Sequence, residues 1–135
     1  MVDRERDLLG IVDLKYDEAG LIPAVIQDRD TGDVLMVAYM NAESLAKTLE
    51  TEKTWFWSRS RQKYWMKGES SGHTQEIRGI FVNCYANTLL VKVSQNGPGA
   101  CHEGYHSCFF RELAPDGQWR ICAKRRFDPD DVYEA

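Results

Sequence analysis

The sequence predicts an α+β fold, a mainly antiparallel sheet or small open barrel with one main helix, in a single domain spanning residues 1–135. Three observations lead there. Several short runs are apolar at both parities or alternate with period two, which is how strands read. One stretch only, AESLAKTLETE, has helical periodicity behind a good capping residue, Asn41. No repeat, low-complexity tract or Pro-, Ser- or Gly-rich linker divides a chain whose length fits one core.

Taken in order, residues 1–16 are charged around a short apolar patch, LLGIVDL, and read as a short helix or a loose arm. LIPAVIQ and DVLMVAYM are apolar at both parities, as strands covered on both faces are, and DRDTG between them supplies turn residues, so they form a central hairpin. The helix after Asn41 places Leu45, Ala46 and Leu49 on its apolar side and ends near Lys53. TWFWSRS reads as a strand and YWMKGESSGHT as a loop. EIRGIFVNC and TLLVKVSQ are two strands about the turn YAN, with Cys84 ending the first and Leu89, Val91 and Val93 sharing one face of the second. NGPGACHEG, with three glycines and a proline, is loop. SCFFREL and QWRICAK are a last pair of strands around APDG.

Composition narrows the function. With 43% hydrophobic and 28% charged residues the chain is globular in type, and no run reaches the roughly 18 apolar residues of a membrane helix. The opening MVDRERDLLG lacks the apolar core of a secretory signal, so a cytoplasmic location is expected and the four cysteines are expected as thiols or metal ligands rather than disulfides. A net charge of −4 argues against a general nucleic-acid coat, yet residues 55–68 hold Arg59, Arg61, Lys63 and Lys67 and no acid. A basic stretch in an acidic chain suits an anionic ligand.

Cys101 and Cys108 lie in and just after the glycine-rich loop, where irregular backbone lets thiolates converge on one ion. No C-x-x-C pair closes a structural zinc knuckle; three thiolates and an open position would instead describe a catalytic zinc, and spacing alone leaves the choice between metal ligand and core thiol open. Cys122, among apolar neighbours in WRICA, reads as core. His102 is a proton carrier beside a metal or an exposed loop residue, and His106 has no better claim. Ser70, Ser71 and His73 in GESSGH either present N–H groups to a phosphate or form a turn. Trp55, Trp57 and Trp65 are stacking candidates, but aromatics in strands more often pack in cores.

FWSRSRQKYWMKGESSGH, the run from Val82 to Gln95, and GPGACHEGYHSCFF, in that order, resemble the phosphoribosyl-AMP cyclohydrolase family of histidine biosynthesis. The similarity covers about Gly20 to Phe110, with the FDPDDVY ending also family-like, and the chain's end matches the single-function form. The resemblance implies hydrolytic opening of a purine ring at its N1–C6 bond, zinc on Cys84, Cys101 and Cys108, His102 as the catalytic proton carrier, and a phosphorylated small-molecule substrate held by the basic and GESSGH residues. It also implies an intertwined homodimer with the zinc site built between chains. Zinc on three thiolates would acidify water for attack at C6.

One departure stands out. The family pattern Asp-Cys-Asp-x-Asp, which implies a Mg2+ site on the face opposite the cysteine, is here Asn83, Cys84, Tyr85, Ala86, Asn87. Magnesium relies on carboxylate oxygens, so this second site is doubtful. The substitution motivates a first alternative, a paralogous zinc hydrolase of another purine or pterin-like ring. A second alternative is a single-stranded nucleic-acid module, with WFWSRSRQKYW as its stacking platform and zinc structural; the negative net charge and the unexplained cysteine loop speak against it, and neither nucleic acid nor membrane is expected as a partner.

Overall fold

In a computed structural model, residues 10–132 are described. Residues 1–9, most of the stretch read as a helix or arm, and the final residues 133–135 lie outside them. Of that opening stretch, Ile11–Asp13 form a single 3-10 turn.

Strand β1 (Ile22–Asp28) pairs antiparallel with β2 (Val34–Met40), as the hairpin reading predicts. Helix α1 (Ala42–Thr51) follows, then β3 (Trp55–Ser58) and β4 (Lys63–Met66), a separate two-stranded hairpin. The tyrosine, tryptophan and methionine of YWMKGESSGHT are therefore strand, and only the glycine-bounded remainder is loop. β5 (Gln75–Val82) and β6 (Leu89–Gln95) pair antiparallel, and β7 (Arg111–Leu113) and β8 (Trp119–Ile121) form a small exposed hairpin. A last turn of helix, α2, spans Pro129–Val132.

The main sheet has the order β2-β1-β6-β5, and β1 pairs with β6 in parallel, from Ala24↔Leu89 to Asp28↔Val93. The sheet is thus open and mostly antiparallel, as the α+β reading expects, with this one parallel pairing, and it does not close into a barrel. Hydrophobic periodicity reports burial, not the direction of the neighbouring strand, so this pairing has no local signature.

One face of the sheet is the core. Ile22, Ala24 and Ile26 of β1, Leu35, Met36 and Met40 of β2, and Leu89, Val91 and Val93 of β6 are buried with Leu45 and Phe56. None of the described residues covers the opposite face in the same way. A row of apolar residues, Val37↔Val25↔Leu90↔Phe81, crosses all four strands in register, with Val37 and Phe81 exposed at its ends. The both-parity reading of β1 and β2 is correct about composition; among the described residues the second face has no apolar layer packed on it.

Asn41 caps α1 in a full capping box: its side chain accepts from Ser44 N, and Ser44 Oγ accepts from Asn41 N. The face that α1 buries is Ser44, Leu45 and Thr48, while Ala46 and Leu49 are exposed, a correction to the predicted apolar side. The cause is Thr48, whose Oγ1 donates to Ser44 O and accepts from Trp55 N at 3.0 Å, so the helix docks on β3 through small polar residues. Phe56, from β3, is fully buried against Trp65 at 4.8 Å between ring centroids. Phe56→Ala should cost about 3–5 kcal/mol in chemical denaturation, because it deletes the largest fully buried side chain and leaves a cavity.

Candidate active site

The strand directions decide which loops meet. β6 leaves the sheet at Gln95 beside the end of β1 and the start of β5, where Gln75↔Gln95 pair. The loop carrying Cys101 therefore emerges next to the GESSGH loop and the β1–β2 turn. It crosses to β2, where Cys108 N donates to Leu35 O at 2.7 Å and Ser107 Oγ to Val34 O at 2.5 Å. A polar relay ties the GESSGH loop to the same end: Thr54 Oγ1 donates to Gln75 Oε1, Gln75 Nε2 to Gln95 Oε1, and Gln95 Nε2 to His73 O. Asn96 adds bonds from N and Nδ2 to Thr74.

Cys101 is buried and Cys108, exposed as a residue, turns its thiol against that of Cys101. Burial pushes the Cys108 thiol up to about 11, the neighbouring Cys101 sulfur adds to the rise, and the Lys67 ammonium opposes it. Lys67 is itself held below its ordinary value by burial, against the pull of the two sulfurs. Glu103 N points at Cys101 Sγ at 3.4 Å, the kind of N–H donation that steadies thiolate ligands. Two adjacent thiols, a backbone N–H on one sulfur and a lysine beside them make a soft donor pair that suits zinc once further ligands join. Cys108 borders a cavity of about 420 Å3 lined also by Phe109, Arg111 and Trp119.

Cys84 is elsewhere. It sits in the turn that joins β5 to β6, at the opposite end of β6 from the Cys101 loop. Seven residues of β6 separate the two ends, roughly 20 Å at the usual rise per strand residue. Among the described residues no three His, Cys, Asp or Glu gather as a metal group. Strand β5 ends at Val82, so Cys84 does not end a strand, and the alternation of faces assumed for Asn83, Tyr85 and Asn87 does not apply. They form a self-closed turn instead. Asn83 Oδ1 accepts from the N–H groups of Asn87 and Thr88, Asn83 Nδ2 donates to Asn87 Oδ1 at 2.7 Å, and Ala86 takes the left-handed conformation, φ 58. Both amide oxygens are engaged within the turn and no carboxylate stands there, so these residues do not fit a magnesium ion. Cys122 is exposed rather than core, because β7 and β8 are exposed along their length.

The basic residues divide in the same way. Lys67 lies with the thiols, with Ser70, Ser71 and His73 following it in the GESSGH loop. Within that loop the N–H groups of Glu69, Gly72 and His73 are bonded internally, to Met66 O, Gly68 O and Ser71 Oγ, which narrows any phosphate cradle. Arg59 stacks on Tyr39 at 4.0 Å, and Tyr39 pairs with Pro23, toward the Cys84 end of the sheet. Arg61 is exposed on the same turn and Lys63 opens β4 beside it. Trp55, Trp57 and Trp65 are all partly buried; Trp65 packs on the core and Trp57 is edge-on to Tyr64. His102 is exposed, its Nε2 3.7 Å from Glu103 Oε1.

Residues 36–110 match the model of the Phosphoribosyl-AMP cyclohydrolase family. A protein of Chlorobium phaeobacteroides named phosphoribosyl-AMP cyclohydrolase is 54% identical over 131 residues, 97% of this chain and 93% of that protein. One of the same name from Pelotomaculum thermopropionicum is 56% identical over 120 residues, 89% of this chain and 92% of its own length. This chain belongs to the phosphoribosyl-AMP cyclohydrolase family. The match spans both cysteine segments, including the neutral turn at 83–87.

Sequence reasoning missed the partners of this site. Asp28, which ends β1, and Asp33 face His106 Nε2 at 3.3 and 3.6 Å, which sets the cysteine loop against the β1–β2 turn without a formed hydrogen bond. The sequence signals were the acidic DRDTG, read as turn, and the aspartate that opens DVLMVAYM, read as strand. The family's cysteine segment here depends on local closure, which gives a test: Asn83→Ala should cost about 1 kcal/mol in denaturation, the usual loss for removing a capping acceptor. Asn83→Asp, which keeps that acceptor, should cost less.

Proposed function

We propose that this chain hydrolyses the N1–C6 bond of the purine ring of phosphoribosyl-AMP, a step of histidine biosynthesis, as a zinc-dependent cytoplasmic homodimer. The observation that carries the reading is the convergence of Cys101, Cys108, Lys67 and the GESSGH loop at one end of the sheet in a chain whose relatives bear that name. Cys101 and Cys108 of one protomer and Cys84 of the partner subunit would hold the metal. Within one chain the third thiol is a sheet length away, and Arg59, Arg61 and Lys63 are separated from Lys67 and His73 along the same axis.

A two-fold axis through the sheet face that the described residues leave open would bring the opposite ends of two chains together and make two equivalent sites. It would also bury apolar surface at both ends. Phe81 and Tyr85, 51% and 70% exposed, flank Cys84; Phe109 and Trp119, 58% and 64% exposed, flank Cys108. Such exposed apolar groups are the usual mark of an interface.

Held by the three thiolates, a zinc ion would supply Lewis acidity and would lower the pKa of a water toward neutrality. The protein's own groups do the rest. His102, adjacent to Cys101 and open to solvent, moves protons to and from the ring nitrogens during opening. Lys67 offsets the negative charge of the thiolates. Arg61 and Lys63 are free for phosphate, whereas Arg59 is engaged with Tyr39 and orients the turn they stand on.

Zinc-loaded protein incubated with phosphoribosyl-AMP should give the absorbance of the ring-opened product; no turnover with zinc and Mg2+ both supplied would transfer the reading to a related ring substrate. Metal analysis should find one zinc per chain, lost in Cys84→Ser and Cys101→Ser and kept in Cys122→Ser. Co-expressed Cys84→Ser and Cys101→Ser chains should recover part of the activity, since a mixed dimer holds one site with all three native thiols. Failure of well-mixed heterodimers to recover would place each site within one chain. With a neutral turn in place of carboxylates, turnover should depend only weakly on added Mg2+; an absolute requirement for Mg2+ would refute that reading.

A further inference from the structure

The chain returns from β8 across the cysteine loop, and three consecutive residues grip that loop. Arg125 Nε donates to Glu103 O at 2.9 Å, its guanidinium lies 3.8 Å from the Glu103 carboxylate and 5.6 Å over the Tyr105 ring. The backbone N–H groups of Arg126 and Phe127 both donate to Gly104 O, at 2.7 and 3.3 Å, and Arg126 Nη1 is 3.2 Å from His106 Nδ1. Phe127 then turns its ring edge-on to His73, at 5.0 Å and 82°, in the GESSGH loop. Every loop residue held this way lies between Cys101 and Cys108.

The close approach is built into the glycines. A Cβ on Gly104, whose φ is +97, would stand 2.3 Å from Phe127 O, and one on Gly97, φ +80, would stand 2.4 Å from the His73 ring. His73 is thus packed between the Gly97 backbone and the Phe127 ring. The turn beneath the grip is tight as well: Cys101 N donates to Tyr105 O, Gly104 N to Cys101 O and Ala100 N to His106 O. Tyr105 is buried and stacks on Phe110 at 3.9 Å.

We propose that Arg125–Phe127 is a strap that locks the Cys101–Cys108 loop to the GESSGH loop, and that Arg125 and Phe127 are positioning residues for the thiols and for His102. The naming of those thiols as metal ligands rests on the reading above; the strap itself does not. It lies beyond the residues, 36–110, that match the family model. A local clamp of this kind lowers the population of loop-open states without contributing to the central core.

The test uses metal-free protein and a thiol reagent, with labelling rates resolved by peptide mass spectrometry. In Arg125→Ala and in Phe127→Ala, Cys101 should label about tenfold faster, as expected when a loop-closing contact of ordinary strength is lost. Cys84, at the far end of the sheet, should label at the unmodified rate, and Phe127→Tyr, which keeps the ring, should match the unmodified chain. Because neither metal nor substrate is present, this outcome holds even if the cyclohydrolase reading fails. Unchanged Cys101 labelling in both alanine variants would overturn the strap. So would equal acceleration at Cys84, which signals general loosening; Arg125, exposed and outside the core, guards against mistaking a folding defect for the effect.

Discussion

The parallel pairing of β1 with β6 is the constraint on which the arrangement of chemistry depends. Parallel neighbours send their carboxyl ends the same way, so the loop after β6 must emerge beside the β1–β2 turn, within reach of Val34 and Leu35. Because β5 runs antiparallel to β6, its beginning joins that end and brings the GESSGH loop with it. The same antiparallel step sends the β5–β6 turn, and Cys84, to the other end. The two pairings of β6 together gather Cys101, Cys108, Lys67 and His73 at one end, and the β5–β6 turn leaves Cys84 at the other.

What holds that end in shape is polar and steric rather than hydrophobic. Buried Thr54 and Gln75 need partners, and the Gln75–Gln95 amide pair satisfies them while fixing the His73 carbonyl. An apolar substitution at Gln75 would leave a buried hydroxyl and an amide searching for water, so the relay specifies loop position as well as stability. Gly68, Gly97 and Gly104 let backbone approach backbone or ring at distances no Cβ tolerates. Lys67 is drawn into this crowded end at a desolvation cost that the sulfurs offset in part.

Much of this was legible in the sequence where a local rule applies. Period two marked the strands, Asn41 announced the helix start, and the glycines of NGPGACHEG required a loop. The cysteine and GESSGH segments stood out by their residue types. What escaped was whatever depends on a distant neighbour. Nothing in Ile22–Asp28 says that its second partner runs parallel. Cys122 alternates with apolar residues as a core thiol would, yet its hairpin projects from the chain. Asn83, Tyr85 and Asn87 were read with strand parity because strand flanks them on both sides; the side-chain amides instead close a turn. The strap was invisible for the same reason, since Arg125 and Phe127 act on residues some twenty to fifty positions earlier.

The division of the cysteines between two ends of one sheet has a thermodynamic consequence. If the metal needs thiols from two chains, metal affinity and dimer affinity are one linked quantity: each ligand bound at the joint site favours the assembled state by mass action. On that reading the interface need not supply all its own stability, and the apolar row of Val37, Val25, Leu90 and Phe81 is only one part of what it would bury. It also assigns a value to the self-closed turn at Asn83–Thr88. A thiol offered to another chain must be presented by a rigid element, because the ordering entropy of a loose loop would be subtracted from the metal's binding free energy. Asn83, with both amide functions engaged and two backbone N–H groups satisfied, presents Cys84 already ordered. Neutral asparagines do this without the mutual repulsion that three carboxylates would impose on the same turn, and the exchange gives up the charge that a second cation would require.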